Sequence, residues 1–140
     1  MMDMPEAVAE SPRAGEIDAG PGARYRRFLA AGQLAIQRCR ACARHIFYPR
    51  SLCPACGGGD LAWVAPAGTG AVYSTTIVRR KPEQGGDYNV VLVDLDEGVR
   101  MMSRVVGLAP EAVTIGLRVR AEIAREGDAP ILLFRPEEAP

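Results

Sequence analysis

Residues 39–56 read Cys39-Arg40-Ala41-Cys42-Ala43-Arg44-His45-Ile46-Phe47-Tyr48-Pro49-Arg50-Ser51-Leu52-Cys53-Pro54-Ala55-Cys56 and contain all four cysteines of the 140-residue chain. The cysteines stand as two matched Cys-x-x-Cys pairs with ten residues between them. Each pair lets two thiolates converge on one metal while the intervening backbone turns its N–H groups toward the sulfurs. Two such knuckles close a tetrahedral four-sulfur shell, the preferred geometry of structural zinc. With every position filled by sulfur, no coordination site remains for water or substrate. Cys39, Cys42, Cys53 and Cys56 are therefore expected to hold structural Zn2+, which folds part of the chain and does no chemistry.

Other uses of the four thiols fit less well. A disulfide framework needs an oxidising compartment, and the opening stretch 1–20 has no apolar segment resembling a secretion signal. A redox Cys-x-x-Cys usually stands singly at a helix start, so the doubled motif argues against it. Iron in a rubredoxin-like site uses the same ligands, and the sequence leaves that option open. Rubredoxin-type carriers are acidic, however, whereas the segment from Arg24 to Arg50 carries seven arginines and no acidic residue.

Outside the knuckles, residues 1–22 read as a disordered acidic tail, with Asp3, Glu6, Glu10, Glu16 and Asp18 set against Arg13. From Ala23 to Ala31, Tyr25, Phe28 and Leu29 recur at helical spacing, and Gly32 supplies a stop. So short a helix must dock its aromatic face, either on its own ribbon or on a partner. Leu34–Arg38 and His45–Pro49 read as ribbon strands, and residues 23–60 as helix plus zinc ribbon. Residues 61–136 are β-rich. Leu61–Val64, Ala71–Val78, Tyr88–Leu95, Val99–Val106, Leu117–Ala124 and Ile131–Phe134 are the expected strands, with Pro110–Ile115 a short helix or irregular connection. The predicted fold class is mainly β: a short helix, a rubredoxin-like ribbon, then a five-stranded barrel of the oligonucleotide/oligosaccharide-binding (OB) type. An open six-stranded sheet fits the pattern almost as well. Residues 137–140 form a tail.

The order of pieces resembles a known family. Gly32-x-Leu34, Arg38-Cys39-x-x-Cys42, Tyr48-Pro49-Arg50 and Cys53-Pro54-x-Cys56 are followed by Leu61-x-Trp63, Gly68-x-Gly70-x-Val72-Tyr73-Ser74 and Val93-x-Leu95-Asp96-Glu97-Gly98. This combination resembles the zinc-ribbon/OB-fold proteins first catalogued as a domain of unknown function, whose members accompany thiolase-like enzymes. The similarity covers residues 24–136. It implies a noncatalytic subunit of a heteromeric acyl-CoA-processing complex of the thiolase, acyltransferase or side-chain aldolase type. Such a subunit docks on the catalytic chain and helps form the CoA channel, with acyl-CoA at the shared interface.

The residues themselves do not contradict that expectation. No catalytic constellation is expected: the cysteines are committed to metal, and His45 is the chain's one histidine, on a ribbon strand. Asp94, Asp96 and Glu97 sit at a hairpin end, where a solvated turn accounts for them. Gly68-Thr69-Gly70 lacks the third glycine and the following helix of a dinucleotide site, so flexibility at the barrel entry is its expected role. Trp63 and Tyr73 are expected to pack in the barrel. Arg79, Arg80 and Lys81 form a mobile cationic loop able to meet CoA phosphates, and Arg24, Arg27 and Phe28 could meet CoA or a partner. A single-stranded nucleic-acid binder is the alternative, disfavoured by zero net charge and by eight aromatics, several of them needed for core. No apolar run reaches the ~20 residues of a membrane span, and the protein is expected to be cytoplasmic.

Overall fold

The computed structural model describes residues 20–137, which form one α-helix, eight strands and two single-turn 3-10 helices, Pro82–Gln84 and Pro110–Ala112. Two compact units divide them: 20–67 with Arg125–Pro130, and Gly68–Ala124 with 131–137. The acidic tail expected over 1–22 lies largely outside the described residues. Its last three, Gly20–Gly22, are instead the first turn of helix α1 (Gly20–Ala30). Pro21 suits that turn, where an absent N–H breaks no intrahelical bond.

In the first unit, Tyr25, Phe28 and Leu29 are the buried residues of α1. Tyr25 meets Phe47 edge-on at 5.3 Å between ring centroids, and Phe28 meets Trp63 at 5.3 Å. The aromatic face thus docks on its own ribbon, and Phe28, expected as a candidate CoA or partner contact, is committed to internal packing. The helix ends as a Schellman motif. Gly32 adopts a φ of +82° and donates to Leu29 O (2.9 Å), and Gln33 N–H reaches Phe28 O (2.9 Å). The chain then enters a three-stranded antiparallel sheet with β1 (Ile36–Cys39) between β2 (His45–Ile46) and β3 (Leu61–Val64). The strand at Leu61–Val64 forms as expected, but it pairs with β1 and not with the later strands. Trp63 is accordingly buried beside α1 and not in the barrel.

The second unit is a curled five-stranded sheet, a half-barrel, in the order β6-β5-β4-β7-β8. Its strands are β4 (Thr69–Val78), β5 (Tyr88–Leu95), β6 (Arg100–Ser103), β7 (Arg118–Glu126) and β8 (Ala129–Pro136). Along β5, Asn89, Val91, Val93 and Leu95 are buried while the alternate residues are half-buried, the period-2 pattern of a strand with one face in a core. Val72, Met101, Val105, Val119 and Phe134 complete that core. The two edges meet where Val105 and Phe134 form a parallel bridge, with Val106 N–H donating to Phe134 O at 2.8 Å. The strand expected over Val99–Val106 is therefore a short β6 plus this bridge.

Two expectations in β4 are corrected. The register shifts between Val72 and Ser74, so Tyr73 occupies a β-bulge. It is 51% exposed, with the Arg100 guanidinium 3.5 Å above its ring, and is not barrel core. Gly70 supplies close approach and not flexibility: a Cβ there would collide with the Asp94 carbonyl of β5. Among the described residues no helix is long and apolar enough to cross a membrane.

Candidate metal centre

The two knuckles are built alike. In the first, Cys39 N–H donates to Arg44 O (2.9 Å) and Ala43 N–H to Cys39 O (2.8 Å). In the second, Cys53 N–H donates to Gly58 O (2.8 Å) and Gly57 N–H to Cys53 O (2.8 Å). The residue after each pair turns left-handed, Ala43 at a φ of +68° and Gly57 at +79°. These turns swing the sulfurs inward, so all four Sγ atoms lie within 4.8 Å of one another. The Cys39–Cys56 and Cys42–Cys53 Sγ pairs are each 3.6 Å apart. Four sulfurs about 2.3 Å from a tetrahedral zinc stand ~3.8 Å apart, so the donor set fits such an ion. No disulfide joins the four cysteines. Cys39 and Cys53 are buried with Ile46, and Cys42 and Leu61 pack against them, an apolar backing that would shield the sulfurs of a bound metal from water.

Backbone dipoles prepare the ligands. The Cys42 N–H and then the Ala41 N–H hold the Cys39 thiol below its ordinary range. The Cys56 N–H, and after it that of Ala55, bring Cys53 down to about 6. The Ala55 N–H lies 3.4 Å from Cys53 Sγ. At Cys56 the Gly58 N–H also favours the thiolate, but the nearby Cys39 and Cys53 sulfurs outweigh it and raise the group to about 11. Two sulfurs ready to ionise beside one that resists a further negative charge make a cluster that calls for a cation. These residues form a structural metal-binding site.

The remaining residues singled out in the sequence are dispersed. Arg79 donates to Asp87 (2.6 Å) and Glu111 (3.1 Å). Arg80 folds back to Gly86 O (3.2 Å) and lies 4.5 Å over the Tyr88 ring. The expected mobile cationic loop is thus pinned by its own arginines, with exposed Lys81 beside it. Arg24 lies 5.6 Å from the Trp63 ring, and Arg27 is exposed on α1. Asp94 receives two bonds from Arg100 (2.6 and 3.0 Å), and Asp96 receives them from Thr69 (2.6 Å) and Arg118 (3.0 Å). These carboxylates tie strands together. His45 is half-buried on β2.

Sequence reasoning missed two buried carboxamides. Gln37 Nε2 donates to Arg50 O and its Oε1 accepts from Arg50 N–H, both at 2.7 Å. Asn89 does the same to Val105, with both bonds at 2.8 Å. Each carboxamide falls at a strand position whose neighbours two residues along are apolar or cysteine (Ala35 and Cys39 for Gln37, Val91 for Asn89), which was the one available signal.

Comparison with known proteins matches two consecutive segments of the chain. Residues 26–62 match the family model of the ChsH2 rubredoxin-like zinc ribbon domain, and residues 63–124 match the ChsH2 C-terminal OB-fold domain. A probable enoyl-CoA hydratase alpha subunit of Thermomonospora curvata is 39% identical over 114 residues, covering 78% of this chain and 36% of that protein. The chain thus spans about a third of that relative's length. A DUF35 domain-containing scaffold protein of Methanocaldococcus jannaschii is 30% identical over 104 residues, covering 69% of this chain and 74% of the relative. Among solved structures, a chain of an Ltp2-ChsH2(DUF35) aldolase superposes with a TM-score of 0.76 at 34% identity, covering 84% of this chain and 95% of that one. A four-cysteine ribbon, an OB-type half-barrel and these relatives together place the chain in the DUF35 zinc-ribbon/OB-fold family.

Proposed function

We propose that this chain is a noncatalytic, zinc-holding subunit of a heteromeric acyl-CoA-processing assembly, docking on a thiolase-like catalytic chain. The observation that carries the reading is the superposition on a chain of an Ltp2-ChsH2(DUF35) aldolase, which covers 84% of this chain and 95% of that one. The hydratase subunit among the relatives points to the same acyl-CoA chemistry. The site geometry agrees in kind. The four-sulfur shell leaves a metal no open position for substrate, and Asp87, Asp94 and Asp96 are each paired with an arginine. Zinc is the metal of choice for such a shell, supplying folding energy with no redox chemistry. Helping to form a CoA channel, with Arg24, Arg27, Arg79, Arg80 and Lys81 as candidate contacts, belongs to the same proposal.

The single-stranded nucleic-acid reading gains little support. In the half-barrel Arg79, Arg100, Arg118 and Arg135 are each paired to carboxylates, and the exposed Tyr73 ring is covered by Arg100. Mass spectrometry of the untagged native complex tests the proposal. It should show this chain with a larger thiolase-like subunit, and CoA-thioester turnover should require both. Turnover by the purified chain alone, or tight salt-sensitive binding of single-stranded DNA with no such partner, would reject it.

A further inference from the structure

The four sulfurs of the ribbon are not equally reachable. Cys39 and Cys53 are buried, Cys42 is half-buried, and Cys56 is exposed. The backbone beyond Cys56 leaves the approach open, because Gly57-Gly58-Gly59 carries no side chains. A Cβ at Gly58 would stand 3.4 Å from Cys56 Sγ and 4.0 Å from Cys39 Sγ, so its absence leaves room beside both. The N–H bonds to sulfur follow the same gradient. Cys39 takes them from Ala41 and Cys42, and Cys53 from Ala55 and Cys56, whereas Cys56 takes one from Gly58. Each such bond draws electron density from a thiolate and lowers its nucleophilicity. Cys56 therefore combines the greatest exposure with fewer of these bonds than Cys39 or Cys53. A sulfur able to complete a disulfide is already in place: Cys39 Sγ, from the other knuckle, lies 3.6 Å from Cys56 Sγ.

Ligation to a metal keeps all four cysteines as thiolates, the form that attacks an oxidant. We propose that the four-cysteine centre is a reversible redox switch entered through Cys56, with hydrogen peroxide as the oxidant. The Cys56 thiolate attacks one peroxide oxygen, the O–O bond breaks, and hydroxide leaves a sulfenic acid behind. The Cys39 thiolate then attacks that sulfur, the S–O bond breaks, and a second hydroxide leaves as the disulfide forms. Two electrons pass from the two sulfurs to the peroxide, and two protons from solvent turn the hydroxides into water. Cys42 and Cys53 alone cannot complete a four-sulfur shell, and strands of two to four residues depend on that shell. Oxidation thus removes the metal and the fold of this unit together, and a thiol reductant with Zn2+ restores both. In an assembly of the kind proposed above, this would uncouple the subunit under oxidant, a consequence that rests on that reading. The switch itself belongs to this chain alone.

Full-length, reduced, zinc-loaded protein is exposed to hydrogen peroxide, and released Zn2+ is followed with a chromogenic chelator alongside emission from Trp63, the chain's one tryptophan. Zinc release and a red shift should proceed together, and non-reducing peptide mapping should find Cys39–Cys56 as the first disulfide. Dithiothreitol with Zn2+ should return the native emission. Cys56→His keeps a shell of three sulfurs and one imidazole, and should release zinc about tenfold more slowly or less. Gly58→Ala changes no ligand and sets a methyl group beside Cys56 Sγ, so release should slow by a few-fold. This second variant decides the matter if Cys56→His binds no metal. No release in excess peroxide, or a first disulfide other than Cys39–Cys56, would overturn the switch. So would release rates unchanged by the variants, oxidation that dithiothreitol and Zn2+ do not reverse, or zinc loss that leaves Trp63 emission native. Each of these outcomes leaves the acyl-CoA reading intact, since CoA-thioester turnover of the complex is measured separately.

Discussion

At the level of single residues, the two knuckles differ where it matters energetically. Gly57 turns left-handed at no steric cost, but Ala43 makes the equivalent turn with a Cβ. An L residue in that region costs about 1–2 kcal/mol, partly offset by the lower entropy of an unfolded alanine. Ala43→Gly should therefore stabilise the metal-loaded ribbon by about 0.5–1 kcal/mol, while the β-branched Ala43→Val should destabilise it by more than that. Urea unfolding followed by Trp63 emission measures both. A loss of stability in Ala43→Gly would show that the alanine side chain contributes packing that outweighs its strain. The cysteine spacing made the ligand set legible because a metal shell constrains residues close in sequence. Gln37 and Asn89 were not legible as clamps because their partners, Arg50 and Val105, lie 13 and 16 residues away. Nothing local in the sequence marks which backbone a buried amide will satisfy, although leaving that backbone unpaired would cost about 1–3 kcal/mol per group.

At the level of elements, the strands follow periodicity well. The observed limits of β3 and β5 are those predicted, and in β5 the run of valines and the alternating burial report directly on a half-buried pleat. Pairing was less visible. β3 is flanked by glycine-rich and proline-containing segments, and only its ladder to β1 assigns it to the ribbon. The bulge at Tyr73 reversed the expected burial of that side chain, because one extra residue shifts which positions face the core. The strand ends are joined by charge. Arg79 holds the Asp87 carboxyl below the usual range, Arg100 does so for Asp94, and Arg118 followed by Thr69 does so for Asp96. A carboxyl depressed in the folded state contributes stability above its unfolded pKa, near 3.9, and loses it as pH falls through the folded value. Half-barrel stability should therefore hold steady down to about pH 4 and decline below it. All three pairs face solvent, so the decline should be gradual and eased by salt. Urea midpoints by circular dichroism across pH check this, and Arg118→Gln should flatten the acid limb. A midpoint that rises on acidification would contradict the assignment.

For the whole molecule, the two units draw their stability from different sources. The half-barrel has a contiguous apolar core of Val72, Val91, Val93, Met101, Val105, Val119 and Phe134. Around its sulfurs the ribbon has only Ile46 and Leu61, and its strands are two to four residues long. Strands so short cannot hold themselves together in water, and four converging thiols without a cation work against the fold. Metal removal should consequently act on one unit before the other. Stripping the ion with a strong chelator under reducing conditions should expose Trp63, shifting its emission to the red, while most of the far-UV β signal persists. Cys53→Ser should reproduce that state without a chelator, because Cys53 is buried and its thiol is held near 6 by the Cys56 and Ala55 N–H groups. Readdition of Zn2+ should restore the native emission in the unaltered chain and not in Cys53→Ser. Cobalt should give the visible bands of a tetrahedral tetrathiolate site, whereas a red ferric spectrum from protein as isolated would assign the shell to iron. If the chelated protein keeps its native Trp63 emission, the ribbon folds on packing alone. The aromatic docking of α1 on Phe47 and Trp63, and not the metal, would then be what holds that unit together.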